Sequence, residues 1–285
     1  MALFHRHPWL APYLLLVPGI AWLALFFVVP LGFLGYQSLQ SGSFEQGYAF
    51  DWAWGNYADA VTTYHDQLVR SLVYAGLATV VALLISYPLV YWIAFRGGRW
   101  KNLLLLFIVA PFFVTYLIRT LAWQNILADE GPVVGVLRDV HLLAGDGRLL
   151  ATSVAVVAGI TYNVLPFMAL PLYVSLEQID ERLIEAAQDL YASRVQAFLR
   201  VTLPLSAPGL VAGTILTFIP AAGDFINAQL LGTPRQYMIG NVIQSKFLEL
   251  IDYPAAAALS FVLMAAILLA VLVYARVVGT EKLTG

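Results

Sequence analysis

The chain has 285 residues, of which 61% are hydrophobic and only 11% charged, with a formal net charge of −2. Soluble domains carry roughly 25% charged residues, so a chain this apolar has too much hydrophobic surface for a water-facing fold; its solvent is lipid. The near-neutral balance, without a run of like charge, excludes a nucleic-acid partner, and the absence of cysteine excludes a disulfide framework, thiolate catalysis and cysteine-ligated zinc. His5, His7, His65 and His141 are scattered and none sits in an HExxH pattern, so no metal site and no catalytic residue is assigned.

A helix crossing a hydrocarbon core about 30 Å thick needs about 20 apolar residues at roughly 1.5 Å each. Taken in order, six stretches qualify: Tyr13 to Tyr36, Leu72 to Phe95, Leu103 to Ile118, Ala151 to Leu176, Leu205 to Gly223 and Pro254 to Tyr274. The first could also be a secretory signal with Arg6 as its charged region. It is long for a signal core, carries Pro18 and Pro30, and has no clear A-x-A cleavage site after it, so it is read as a retained helix. The third is short, fenced by Lys101 and Arg119, and is expected to kink at Pro111. The expectation is an all-α integral membrane fold of six transmembrane helices, forming one domain over residues 1–285.

Basic residues favour the cytoplasmic side of short loops. One alternate set of loops and termini holds Arg6, Arg96, Arg99, Lys101, Arg182, Arg194, Arg200, Arg276 and Lys282. The other is acid-rich, with Glu45, Asp51, Asp59, Asp66, Asp129, Glu130, Asp139, Asp146, Glu249 and Asp252. Both termini are therefore expected on the cytoplasmic side, and the cluster Arg96, Arg99 and Lys101 in a very short turn contributes most to that orientation.

Between the fourth and fifth spans, over about 177–204, lies a polar–apolar helical pattern outside the lipid. Leu183, Ala186, Ala187 and Leu190 recur at three- and four-residue spacings along one face, with Glu181, Arg182, Glu185 and Asp189 elsewhere on the cylinder. Asp180 is a candidate N-cap, and Pro204 and Pro208 mark re-entry into the membrane. Periodicity alone leaves two readings open: a connector resting on the membrane surface, or a helix whose apolar strip meets a partner.

Glu185-Ala186-Ala187, followed by Ala192-Ser193, Phe198 and the run Val201-Thr202-Leu203-Pro204-Leu205-Ser206-Ala207-Pro208-Gly209, resembles the EAA loop of permeases in binding-protein-dependent ABC importers. The resemblance implies the type I importer permease fold, and a coupling helix in this loop that docks in a groove of a cytoplasmic ATPase. The residues it assigns to that coupling are Leu183, Glu185, Ala186, Ala187, Leu190, Tyr191, Ala192 and Ser193. Small alanines allow close approach, the leucines anchor, and Glu185 meets a basic group. The chain has no GxxxxGK[ST] phosphate loop, so ATP and Mg are expected on the partner, and the chain is expected to be no enzyme and to hold no cofactor. The implied partners are two ATPase subunits, a homologous second permease and an extracytoplasmic solute-binding protein, in a bacterial cytoplasmic membrane. The family usually has glycine where this chain has Tyr191; either the turn is ordinary here, or Tyr191 accepts strain of about 1 to 3 kcal/mol while its ring adds contact with a partner.

Gly159 to Tyr173, Gly223 to Gly232 and Ile239 to Ile243 are similar to the spermidine/putrescine branch of these permeases. A polyamine pathway wants carboxylates and aromatic faces. Asp224, in a stretch interrupted by Pro220 and Gly223, is a candidate, but about 19 residues at 1.5 Å from Leu205 put it roughly 28 Å across, where an ordinary interfacial acid also fits. Tyr162 and Asn163, near the middle of the fourth span, line a pathway or pack against a neighbouring helix; Trp123 and Arg119 line it or sit at the interface. Gly209 and Gly213 form a small-xxx-small pattern for helix packing. Rival readings are a permease for another small solute, an ion-gradient-driven secondary transporter, or a membrane anchor that moves no solute.

Overall fold

The structure, a computed structural model, describes residues 10–278 except 142, 145 and 146. His5, His7, Arg6, Asp146 and Lys282 lie outside the described residues. By contacts the chain divides into two compact units: residues up to Thr63 with Ile243–Val262, and Tyr64–Val242 with the residues from Leu263 onward.

In the first unit, α1 (Leu10–Leu23) continues through a π-helical turn at Ala24–Val28 into α2 (Val29–Ser38). Pro30 follows directly on the π-helical turn, inside the continuing helix, where it removes one intrahelical N–H donor. The wide loop that follows is not featureless: β1 (Gln40–Ser43) and β2 (Gly47–Phe50) pair antiparallel, with Gln40 opposite Phe50 and Ser43 opposite Gly47. Gly42 has φ +117°, and a Cβ there would stand 2.2 Å from the Gly47 carbonyl oxygen, so only glycine fits. Asn56 Nδ2 ties the hairpin base by donating to Ser38 O and Gln40 O, both at 2.9 Å, and Tyr48 donates its hydroxyl to Ile251 O.

The long α3 (Gly55–Arg96) begins in this unit, well before the predicted Leu72, and loses helical geometry at Tyr64 (φ −115°, ψ 21°). In the second unit it is followed by α4 (Lys101–Val109), α5 (Tyr116–Ile126), α6 (Pro132–Asp139), α7 (Ser153–Glu177), α8 (Glu181–Asp189), α9 (Arg194–Ala197), α10 (Ala207–Ala222), α11 (Ile226–Leu231) and α12 (Ile239–Gln244). The last helix, α13 (Tyr253–Val278), contributes to both units.

The third predicted span, Leu103 to Ile118, needs correction. Around Pro111 the chain tightens into a 3-10 turn, Ala110–Phe113, and Val114 is extended (φ −97°, ψ 136°). The helix therefore breaks instead of merely kinking, and its halves, Gly98–Phe113 and Tyr116–Ile126, are bent by 96°. A second pair, Arg194–Leu205 and Ala207–Ala222, bends by 64°. Among the described residues, four helices are long and apolar enough to cross a membrane, Leu15–Ser38, Gly55–Arg96, Ser153–Glu177 and Tyr253–Val277, and six spans result if each bent pair is one.

Helices α7 and α10 form the tightest packing in the second unit. A Cβ on Gly209 would stand 2.4 Å from Ser175 Cβ and 2.5 Å from Pro171 O, and one on Gly213 would stand 3.0 Å from Met168 O. The small-xxx-small pair thus lets two backbones meet. Buried Met168, Leu172 and Leu176 of α7 complete this core with Val90 and Ile93 of α3.

Candidate functional site

The polar loop after α7 folds as two short helices joined by a turn. Asp180 caps α8, its Oδ1 accepting from Arg182 N at 3.0 Å, with Glu181 in the first turn. Ser193 caps α9 in a reciprocal box: its Oγ accepts from Gln196 N at 3.3 Å while Gln196 Oε1 accepts from Ser193 N at 2.9 Å. Ile184 and Phe198 turn inward, Ile184 onto the Val90–Leu172 core and Phe198 edge-on to Tyr87 and Tyr91 at 5.5 and 5.9 Å. That leaves Leu183, Glu185, Ala186 and Leu190 exposed, Ala187 and Ala192 half-buried, and Leu190 82% and Tyr191 97% exposed at the tip. Two adjacent side chains this apolar and this exposed, outside any span, form a surface without a cover in this chain.

Tyr191 takes φ +63°, the left-handed conformation that glycine adopts without cost, so the turn is not an ordinary one and the backbone is the strained one of the two alternatives. Its exposed ring returns no packing within the chain. Tyr191→Gly is expected to relieve about 1 kcal/mol of strain and to retain transport; abolished transport in a variant that still assembles would show that the ring itself is needed. Lys101 Nζ reaches Glu177 Oε1 at 3.7 Å, so the base-rich turn after α3 and the start of this loop share one end of the unit.

At the breaks in the α4–α5 and α10–α11 stretches lies a half-open cavity of about 270 Å³. Asp224, 8% exposed, sits just past the end of α10. Its Oδ1 accepts from Asn227 N at 2.9 Å, and its Oδ2 accepts from Asn227 Nδ2 at 2.9 Å and from the Tyr116 hydroxyl. Asn227 Nδ2 also donates to Tyr116 Oη at 2.6 Å, while Asn227 Oδ1 accepts from Thr120 Oγ1 and Asn163 Nδ2, both at 3.4 Å. The network binds α5, α7 and α11 around one carboxylate. Such a group keeps its charge under cover only when its lone pairs are met. Asn227→Ala removes two donors and should cost about 2–4 kcal/mol, read as a lowered melting temperature of the purified protein; an unchanged melt would show that the network carries no stability.

Of the five sequence-named pathway residues, the cavity brings together Asp224, Asn163 and Arg119. Trp123 and Tyr162 instead stack edge-on to each other, centroids 5.5 Å apart, and Trp123 leans on the core around Ala155 and Ile160. Asp224 is not a solvated interfacial acid, because it is buried and bonded on both oxygens. The sequence reading passed over Tyr116, Thr120 and Asn227. Tyr116, Arg119 and Thr120 share one face of α5 at the i, i+3, i+4 spacing, and Asn227 follows Asp224 by three, a pattern visible only once the breaks are known.

Outside the spans, Asp129 Oδ2 accepts from Arg148 Nε at 2.8 Å and Nη2 at 2.6 Å, and this guanidinium holds the carboxyl below the usual carboxylate range. With the folded value depressed, the contact is fully formed above the ordinary carboxylate pKa and is lost only as pH falls through the lowered one. One acid of the acid-rich loops is therefore already paired.

A profile of the family described as binding-protein-dependent transport system inner membrane component matches residues 78–279. The spermidine/putrescine transport system permease protein PotB of Haemophilus influenzae is 37% identical over 257 residues, 90% of this chain and 90% of that one. The PotB protein of Escherichia coli K12 is 38% identical over 213 residues, covering 75% of this chain and 78% of its own length. Among solved structures, a bacterial ABC transporter involved in the import of the acidic polysaccharide alginate has a chain that superposes with a TM-score of 0.75 at 19% identity, over 99% of this chain and 98% of that one, a likeness of fold. With helices fit to cross a membrane and most of its length matched, this chain belongs to the inner-membrane permease components of binding-protein-dependent transport systems.

Proposed function

We propose that this chain is the polyamine-translocating permease subunit of an ATP-driven importer, carrying spermidine or putrescine into the cytoplasm by alternating access. The observation that carries the reading is the 37% identity to a spermidine/putrescine permease over 90% of both chains. The cavity supports it chemically: a carboxylate, an amide and aromatic faces are the groups that accept an ammonium ion. In the full assembly the chain pairs with a homologous second permease, two ATPase subunits that bind ATP and Mg, and an extracytoplasmic solute-binding protein. Both termini and the loop over about 177–204 face the cytoplasm. There Leu183, Glu185, Ala186, Ala187, Leu190, Tyr191, Ala192 and Ser193 form the docking element, and Asp224 and Asn163 meet the cargo. Tyr162 and Trp123 support the wall behind it.

ATP-dependent uptake of labelled spermidine and putrescine into vesicles carrying the reconstituted complex with its binding protein tests this reading. Uptake that needs ATP and the binding protein is expected. Uptake that persists without the ATPase subunits would point to an ion-gradient transporter, and import of another solute but neither polyamine would remove the polyamine assignment.

A further inference from the structure

Arg119 is the odd group in a cavity meant for a cation. It lies 8% exposed in the cavity lining, makes no ion pair among the described residues, and its Nε and Nη1 have no hydrogen-bond partner. What holds the guanidinium is ring contact: it sits 4.9 Å from the Phe112 centroid and 5.5 Å from that of Tyr116. Phe112 in turn packs edge-on to Phe167 at 5.1 Å. The aromatic faces best suited to an ammonium ion are therefore already taken by a cation of the chain itself.

A second group points to a missing donor. Asn163 is 1% exposed and lines the same cavity; its Nδ2 is directed to Thr120 Oγ1 and Asn227 Oδ1, and its Oδ1 accepts nothing. A buried carbonyl without a donor is unfavourable, so it favours a ligand that brings an N–H. Asp224 lies on the same wall, its oxygens already bonded within the chain.

We propose that the corner formed by Phe112, Tyr116 and Asn163 is a subsite for one protonated amine of the cargo, and that Arg119 is its tethered competitor. The proposal rests on the polyamine reading and adds a residue that sets how weakly the cargo is held. In the empty site Arg119 occupies the rings; an arriving ammonium displaces it, donates to Asn163 Oδ1 and takes its place over Phe112. A guanidinium held by rings and not by a carboxylate is readily displaced. Its return, helped by charge repulsion at short range, speeds release. The apparent affinity of the subsite is lowered by the fraction of time Arg119 fills it.

Equilibrium binding of labelled spermidine to the complete permease–ATPase complex in nanodiscs, without the binding protein, reads the subsite directly. Arg119→Gln is expected to tighten binding about tenfold and Arg119→Lys to leave it near wild type, whereas Asn163→Leu combined with Arg119→Gln abolishes the gain. The chain's lack of cysteine allows a sharper form of the experiment. Arg119→Cys should bind tightly, lose that gain when 2-aminoethyl methanethiosulfonate restores a tethered cation, and keep it when methyl methanethiosulfonate adds a neutral group of similar reach, with wild-type complex treated in parallel. A purely structural arginine would not distinguish the two reagents. Weaker or unchanged binding by assembled Arg119→Gln, in a complex whose wild type imports spermidine, overturns the proposal and leaves the functional reading standing. Failure of the wild type to import either polyamine overturns both.

Discussion

Replacing Glu185 by lysine is expected to bring ATP-driven uptake to background while the permease remains in the membrane at normal levels. Glu185 is exposed on α8 beside exposed Leu183 and Ala186, and it makes no hydrogen bond or ion pair among the described residues that folding would miss. In the proposed docking it faces a basic group of the ATPase. Reversing its sign turns an attraction into a repulsion of several kcal/mol in a partly desolvated contact, enough to separate ATP hydrolysis from movement of the membrane helices. Glu185→Gln, which removes only the attraction, should retain part of the uptake. Full uptake by Glu185→Lys would show that this face docks nowhere.

Gly209→Val is expected to have the largest effect on stability. The added Cβ meets Ser175 Cβ at 2.4 Å and, at 2.5 Å, the carbonyl oxygen of Pro171, a backbone atom that cannot step aside without moving α7. A clash with backbone in the tightest helix contact of the unit should cost at least about 3 kcal/mol, read as a loss of purified protein and a lower melting temperature. Gly76→Ala serves as the control, since its Cβ meets nothing within 4 Å and helix propensity favours alanine. A variant at Gly209 that melts like wild type would mean that α7 and α10 pack differently in the membrane.

The membrane fold was legible because lipid leaves a simple record: an apolar run of about 20 residues bounded by charge needs no partner to be read. The cap at Asp180 was legible for a similar reason, being local. What escaped was set by breaks and by long-range meetings. Pro111 announced a disturbance, but whether a helix kinks or stops depends on the next residues, and extended Val114 is not marked by its side chain. Asn227 and Tyr116 are ordinary residues in sequence, 111 positions apart, and become a site only because two interrupted helices bring their ends to one carboxylate. The hairpin Gln40–Phe50 went unseen because its first strand, Gln-Ser-Gly-Ser, has no apolar residue and its second, Gly-Tyr-Ala-Phe, has no apolar–polar alternation. Tyr191 shows the opposite case: its departure from the family's glycine posed the right question, and the positive φ answered half of it.

The first membrane helix has a different relation to its surroundings. Every residue from Leu15 to Pro30 is exposed, and none of the most apolar window of Leu15–Ser38 is buried within the chain. Within this chain its place in the bilayer thus rests on transfer into lipid and not on packing, so it needs no other segment of the chain to have been made before it can insert. During synthesis such a helix is available to the translocation machinery as soon as it leaves the ribosome, while α7 and α10 are still unmade. Biogenesis and packing are in this way divided along the chain: an early segment commits to the membrane alone, and later ones must find each other inside it.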